Sequence, residues 1–203
     1  MSKTHRKPFL FLIVIWALIA LITIGFFLLR GYRSNWRPDA AQLKLLAAPE
    51  QIGSSTIRPP KGYIKNIVTQ REASGSRLRT DSWYVRHPDG AYSYVQVTQI
   101  SNIQHESLDT HLRDQLQDIK SELSGVSISR FEHGDINGIP SARTYFKGSL
   151  KKAGGAIEGH RGFFYVLMPS RTQFIIINSS AADSYAAQAL GAAEASALTL
   201  RLH

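Results

Sequence analysis

The chain contains no cysteine, which excludes disulfides, thiolate nucleophiles and cysteine-held metal centres. It also lacks the G-x-S-x-G elbow, the G-x-x-x-x-G-K-[ST] phosphate loop and the H-E-x-x-H helix. The usual carriers of hydrolase, nucleotide-phosphate and zincin chemistry are therefore missing. Acidic residues are absent from the first 37 positions, which hold Lys3, Arg6, Lys7, Arg30, Arg33 and Arg37. This asymmetry accounts for most of the formal charge of +9. Of 24 basic and 15 acidic residues, 18 and 15 remain beyond residue 37, a surplus of 3. A nucleic-acid-binding domain carries its surplus on the fold itself, so no nucleic-acid partner is expected.

Charge and proline are both absent from Phe9 to Leu29. At 1.5 Å per residue this run spans about 32 Å as a helix, the thickness of a hydrocarbon core. Its one polar side chain is that of Thr23, which can bond back to the helix. The run exceeds the apolar core of a cleaved signal peptide, and Leu28-Leu29-Arg30-Gly31-Tyr32 is a poor cleavage site. Residues 9–29 are thus expected to be a retained transmembrane helix behind a basic tail, residues 1–8. Tyr32 and Trp36 fall where aromatic rings favour the headgroup layer. Residues 30–51 read as a juxtamembrane stalk, with Pro38 opening a short helix over 40–46. A short basic tail ahead of a large domain predicts a signal-anchor with the domain outside the cytoplasm.

Residues 52–203 read as one soluble α+β domain. Ser55–Arg58 is a short strand. Thr69–Thr80 is a polar loop. Ser82–Arg86 and Ala91–Ile100 form a hairpin about the His87-Pro88-Asp89-Gly90 turn. Ser107 caps a helix whose stripe Leu108, Leu112, Leu116, Ile119 and Leu123 has helical spacing. Val126–Phe131 and Ser141–Phe146 are strands about an Asn137-Gly138 turn. Arg161–Met168 and Thr172–Asn178 form a second hairpin, in which Phe174–Ile177 is apolar on both faces and belongs at the sheet centre. Ser180 to Asp183 resembles a capping box before an alanine-rich helix ending near Leu198. Consecutive hairpins predict a mainly antiparallel sheet with helices on its faces.

This order resembles the PsbP-like fold. The likeness rests on Ile57-Arg58-Pro59-Pro60-Lys61-Gly62-Tyr63, on the helix after the first hairpin, on Asn137-Gly138-Ile139-Pro140-Ser141-Ala142 leading into a strand, and on the closing hairpin and helix. It implies an α-β-α sandwich, a bacterial envelope location and action by docking, with no shared catalytic residue and no cofactor. The expected protein is a non-enzymatic interaction domain tethered to the bacterial inner membrane with its domain in the periplasm. Its expected partners are the bilayer, through residues 9–29, and a membrane complex or envelope protein. Alternatives are a small-molecule or metal-binding sensor with a pocket between sheet and helix, and a hydrolase.

Candidate site residues are few. Arg58, Lys61, Lys65, Arg77 and Arg79 form one basic cluster, and Arg143, Lys147, Lys151 and Lys152 a second. If they meet in space they make a docking patch for headgroups or an acidic partner. His111, Asp114, Asp118 and Glu122 share helical spacing that can hold a metal, but the reading favoured for them is a solvated helix face. His105, Glu106, His133 and His160 are too scattered in sequence to define a triad, which is recognised by geometry.

Overall fold

The computed structural model describes residues 34–73, 76–103, 106–152 and 155–203. The expected transmembrane helix, residues 9–29, and Tyr32 lie outside the described residues. Among the described residues no helix is long and apolar enough to cross a membrane. The compact unit described here begins at Asn35.

Its strands are β1 (Ser34–Asn35), β2 (Glu50–Ile52), β3 (Ser55–Ile57), β4 (Ile64–Ala73), β5 (Ser76–Arg86), β6 (Tyr92–Ser101), β7 (Ser124–Ile128), β8 (Glu132–Ile136), β9 (Ile139–Lys151), β10 (Ile157–Ser170), β11 (Gln173–Ala182) and β12 (Arg201–Leu202). Its helices are α1 (Ala40–Leu43), α2 (Leu108–Glu122) and α3 (Asp183–Ala197). The main sheet runs β1-β8-β9-β10-β11-β6-β5-β4, with β7 also on β9, and a small sheet runs β12-β3-β2. The pairings of β4 through β11 in the main sheet, and those of the small sheet, are antiparallel. This is the α+β class expected.

Strand parity sorts the core into two. Phe163, Tyr165, Leu167, Ile175 and Ile177 share a cluster with Trp83, Val95 and Val97, and there meet Ala193 and Ala197 of α3. Phe164, Val166, Phe174 and Ile176 share the other cluster with Leu112, Leu116 and Ile119 of α2. Alternate side chains of one strand leave on opposite faces, so α2 and α3 cover opposite faces of the sheet. β11 sits between β10 and β6 with Phe174–Ile177 buried throughout, as a two-faced apolar strand requires.

Three local readings differ. The polar stretch over 69–80 is not a loop: it forms most of the hairpin of β4 and β5, paired from Ala73↔Ser76 inward. β4 ends the sheet, and an edge strand is held by backbone hydrogen bonds without needing an apolar face. Ser180 does not cap α3. It is paired in β11 opposite Gly162, the N-cap is Ala182 with no side-chain bond, and Asp183 accepts from Arg161 Nε at 2.8 Å. Pro38 is not the first helical residue, because Asp39 is the N-cap of α1 in a reciprocal capping box with Gln42.

The segment read as stalk is packed against the domain from Trp36 onward. Trp36 lies edge-on to Tyr165 at 5.7 Å between centroids, and its N–H donates to Asp135 O at 2.9 Å. Leu46 is 1% exposed. The Trp36 ring therefore packs, partly buried, against the domain core.

Candidate functional site

Lys65, Arg77 and Arg79 of the first cluster stand apart from Arg143, Lys147 and Lys151 of the second. Lys65, Arg77 and Arg79 lie on β4 and β5, and Arg143, Lys147 and Lys151 on β9. Five strand spacings separate β4 from β9, about 24 Å at about 4.8 Å each. Most of the cations also have structural partners. Arg79 Nε donates to Asp81 at 2.8 Å, and Lys65 lies 3.3 Å from Glu50, 3.5 Å from Asp81 and 5.1 Å from the Trp83 ring centre. Lys152 is paired with Glu158. Arg58 Nε donates to Ala47 O at 2.9 Å. Lys61, Lys147 and Lys151 are exposed.

Arg143 is the centre of a network. Its guanidinium lies 2.8 Å from Glu132, donates to Tyr165 Oη at 2.9 Å and to Glu194 Oε1 at 3.1 Å, and stacks 4.4 Å from the Trp36 ring centre. Tyr165 Oη donates to the same Glu194 oxygen at 2.7 Å, and Tyr145 Oη donates there too. Burial works against the Arg143 charge, but Tyr165, Glu132 and Tyr145 outweigh it and hold the guanidinium further above its ordinary value. Burial, then Glu194, pushes Tyr145 up to about 12. The network ties the incoming segment, the sheet and α3 together, and it engages the Arg143 guanidinium.

A different basic feature lies where the chain enters the domain. A cleft of about 630 Å³ is lined by Arg37, Arg58 and Arg201, with Leu43, Leu198, Thr199 and His203 among its walls and no acidic side chain among its described lining residues. Arg201 is placed by the pairing of β12 with Thr56 of β3, and Arg58 by its own N–H donating to Thr199 Oγ1 at 2.9 Å. A low-dielectric cleft lined by one sign of charge focuses its field on an anion. Of these residues only Arg58 had been singled out from the sequence. Arg37, Arg201 and His203 are distant in sequence and carried no shared signal.

The histidines fall into separate settings. His160 Nε2 lies 2.9 Å from Glu158 and its Nδ1 3.5 Å from Ser180 Oγ. The order is that of a serine relay, but 3.5 Å exceeds proton-transfer length, and Glu158 is also held by Lys152. His133 Nε2 is 2.7 Å from Asp109. His111 departs from the expected solvated face: its ring centre lies 3.9 Å from that of Phe174, against the sheet. Desolvation there lowers its pKa, against the opposing pull of Glu106 and Asp114. Glu106, His111 and Asp114 place one ligand atom each within 4.8 Å of one another. Asp118 and Glu122 are exposed further along α2. Within the described residues this trio could hold a metal.

No protein-family model matches the chain, and no curated protein matches it. Among solved structures, the chain is similar to LpqN of Mycobacterium tuberculosis, described as involved in cell envelope biogenesis. That match has 12% identity and a TM-score of 0.42, covering 83% of this chain and 98% of that one. The chain is also similar to a protein of unknown function from Pseudomonas aeruginosa, at 12% identity and a TM-score of 0.36, covering 69% of this chain and 85% of that one.

Proposed function

We propose that the protein is a membrane-tethered, non-enzymatic docking domain of the bacterial cell envelope. In this reading residues 9–29 span the inner membrane and the domain lies on the periplasmic side. The PsbP-like architecture belongs to the same reading. It is supported by the order of hairpins and helices on an antiparallel sheet.

The observation that carries the proposal is the arginine-lined cleft beside the incoming chain. Eight Cα–Cα steps separate Leu29 from Arg37, a contour of roughly 28 Å even when fully extended. A tether of that length confines the cleft to a thin layer above the bilayer and raises its effective concentration toward membrane-bound partners. The chemistry that fits is a carboxylate-bearing segment of an envelope protein, because guanidinium groups take carboxylates in paired hydrogen bonds.

A photo-crosslinking side chain at Pro49, an exposed residue of the cleft wall, tests this in membranes carrying the full chain. The expected result is one discrete adduct to a membrane-associated protein, lost in the Arg37→Glu, Arg201→Glu double variant. An unchanged adduct in that variant overturns the proposal. So does an adduct replaced by equal binding to protein-free vesicles rich in phosphatidylglycerol, which assigns the cleft to lipid.

A second reading, small-molecule sensing, rests on a cleft of about 380 Å³ between α3 and the sheet, lined by Tyr63, Val85, His87, Tyr185 and Ala189 among others. That volume is within the usual range for ligand pockets. His87 and Tyr185 stack in its wall at 3.6 Å between centroids.

A further inference from the structure

We propose that Glu106, His111 and Asp114 form a binding site for a first-row divalent metal ion, with Zn²⁺ the best fit. The site is independent of the arginine cleft and lies on the α2 face of the sheet.

Its geometry begins with α2. Ser107 caps the helix, its side chain accepting from Thr110 N at 3.1 Å. This fixes Glu106 one residue ahead of the cap. His111 and Asp114 are three apart in the helix and so neighbours on one face. The His111 ring is wedged against Phe174, with 13% of its side chain exposed, so its orientation is set by packing and not by solvent.

Among the described residues His111 Nε2 has no hydrogen-bond partner, and it is sealed from solvent. A buried polar atom left unpaired costs about 1–3 kcal/mol, so such an atom calls for an explanation. The nearest carboxylate oxygen, Glu106 Oε2, is 3.7 Å away. That is too long for a hydrogen bond. It is close to the roughly 3.3–3.6 Å between two ligands each about 2.0–2.2 Å from a tetrahedral Zn²⁺. Asp114 completes a set of three donor atoms within 4.8 Å of one another. The exposed Glu106 and Asp114 side chains can close the remaining distance by rotamer adjustment while the imidazole stays in place.

Charge points the same way. No lysine or arginine is paired with Glu106 or Asp114 among the described residues. Two carboxylates converging on one imidazole repel each other in the absence of a cation, and a divalent ion cancels both charges. One imidazole and two carboxylates suit zinc and its first-row neighbours, with a fourth position left for water.

The test uses the detergent-solubilised full chain without a polyhistidine tag, stripped with chelator and titrated with Zn²⁺ by calorimetry, with Co²⁺ absorption as a spectroscopic check. The expected result is one saturable equivalent and a visible Co²⁺ spectrum of nitrogen and oxygen coordination. Affinity should fall at least about tenfold in Asp114→Asn and in Glu106→Gln, and binding should be lost in the double variant. Both positions are exposed, so the fold survives the changes. His133→Asn should bind as the parent does. Absence of a saturable equivalent in the parent overturns the proposal. So does parental affinity in the double variant, or loss of binding in His133→Asn, which moves the ion to the His133–Asp109 pair.

Discussion

Glu194 Oε1 receives the Tyr145 and Tyr165 hydroxyls and one arm of Arg143. Removing the cation from such a group leaves a partly buried carboxylate short of its main counter-charge. Breaking a fully buried pair costs about 3–5 kcal/mol. Here the Arg143 side chain is 19% exposed and that of Glu194 25%, so Arg143→Met should destabilise the fold by roughly 2 kcal/mol. Urea denaturation of parent and variant checks the value. The tyrosines give a second expectation at this scale. Burial pushes Tyr63 up to about 12. It does the same to Tyr94, helped by Glu122, and Tyr145 lies equally high. Each is raised above its unfolded value near 10, so each contributes stability that is fully present below pH 10 and lost as pH rises toward 12. Titration followed at 295 nm should show these tyrosines ionising late and in step with alkaline unfolding. A normal midpoint near 10 for all eight would contradict their burial. Nothing about either feature is legible locally, since the partners of Arg143 lie 11, 22 and 51 residues away.

At the scale of elements, the centre of the sheet leaves no room where β10 crosses Gly162. A Cβ there would meet Ser179 O at 2.2 Å and Phe146 Cζ at 2.3 Å. The oxygen is main chain and cannot move aside, so Gly162→Ala should cost about 3 kcal/mol, the upper end for overpacking. It should lower the thermal midpoint accordingly. Ser107→Ala removes the one cap of α2 that a side chain makes, with an expected loss of about 1 kcal/mol. Circular dichroism melts can rank the two. Elements with strong internal signals were readable: the leucine stripe and cap of α2, and the doubly apolar β11. The hairpin of β4 and β5 was not, because its outer residues are polar and its pairing depends on an already formed β6. The cap assigned to Ser180 failed for a related reason. Two alanines follow it, and pairing with Gly162 carried the strand on to Ala182 before a helix could start.

For the whole molecule, the compact unit starts at Asn35, with Trp36, Leu46 and Ile52 contributing to its packing. A fragment of residues 35–203 should therefore unfold cooperatively, whereas one of residues 53–203 should lose β2, the Trp36–Arg143 stack and the cover over Trp83. Near-ultraviolet dichroism and a denaturant transition distinguish the outcomes, and equal stability of the two fragments would contradict this packing.

From sequence alone came the absence of cysteine chemistry, the concentration of positive charge about residues 9–29, the α+β class, the apolar stripe of one helix and the alanine-rich character of the other. These follow from composition and from periodicities of two and 3.6, which any short window carries. Tertiary structure decided which charges meet. It set Lys65, Arg77 and Arg79 four to five strand spacings from the cations of β9 and turned Arg143 inward. It drew Arg37, Arg58 and Arg201 around one cleft, and it set Glu106 and Asp114 beside a sealed imidazole. The reason is that electrostatic contacts depend on distance in space, and strand order, which sets that distance, is chosen by the packing of the core.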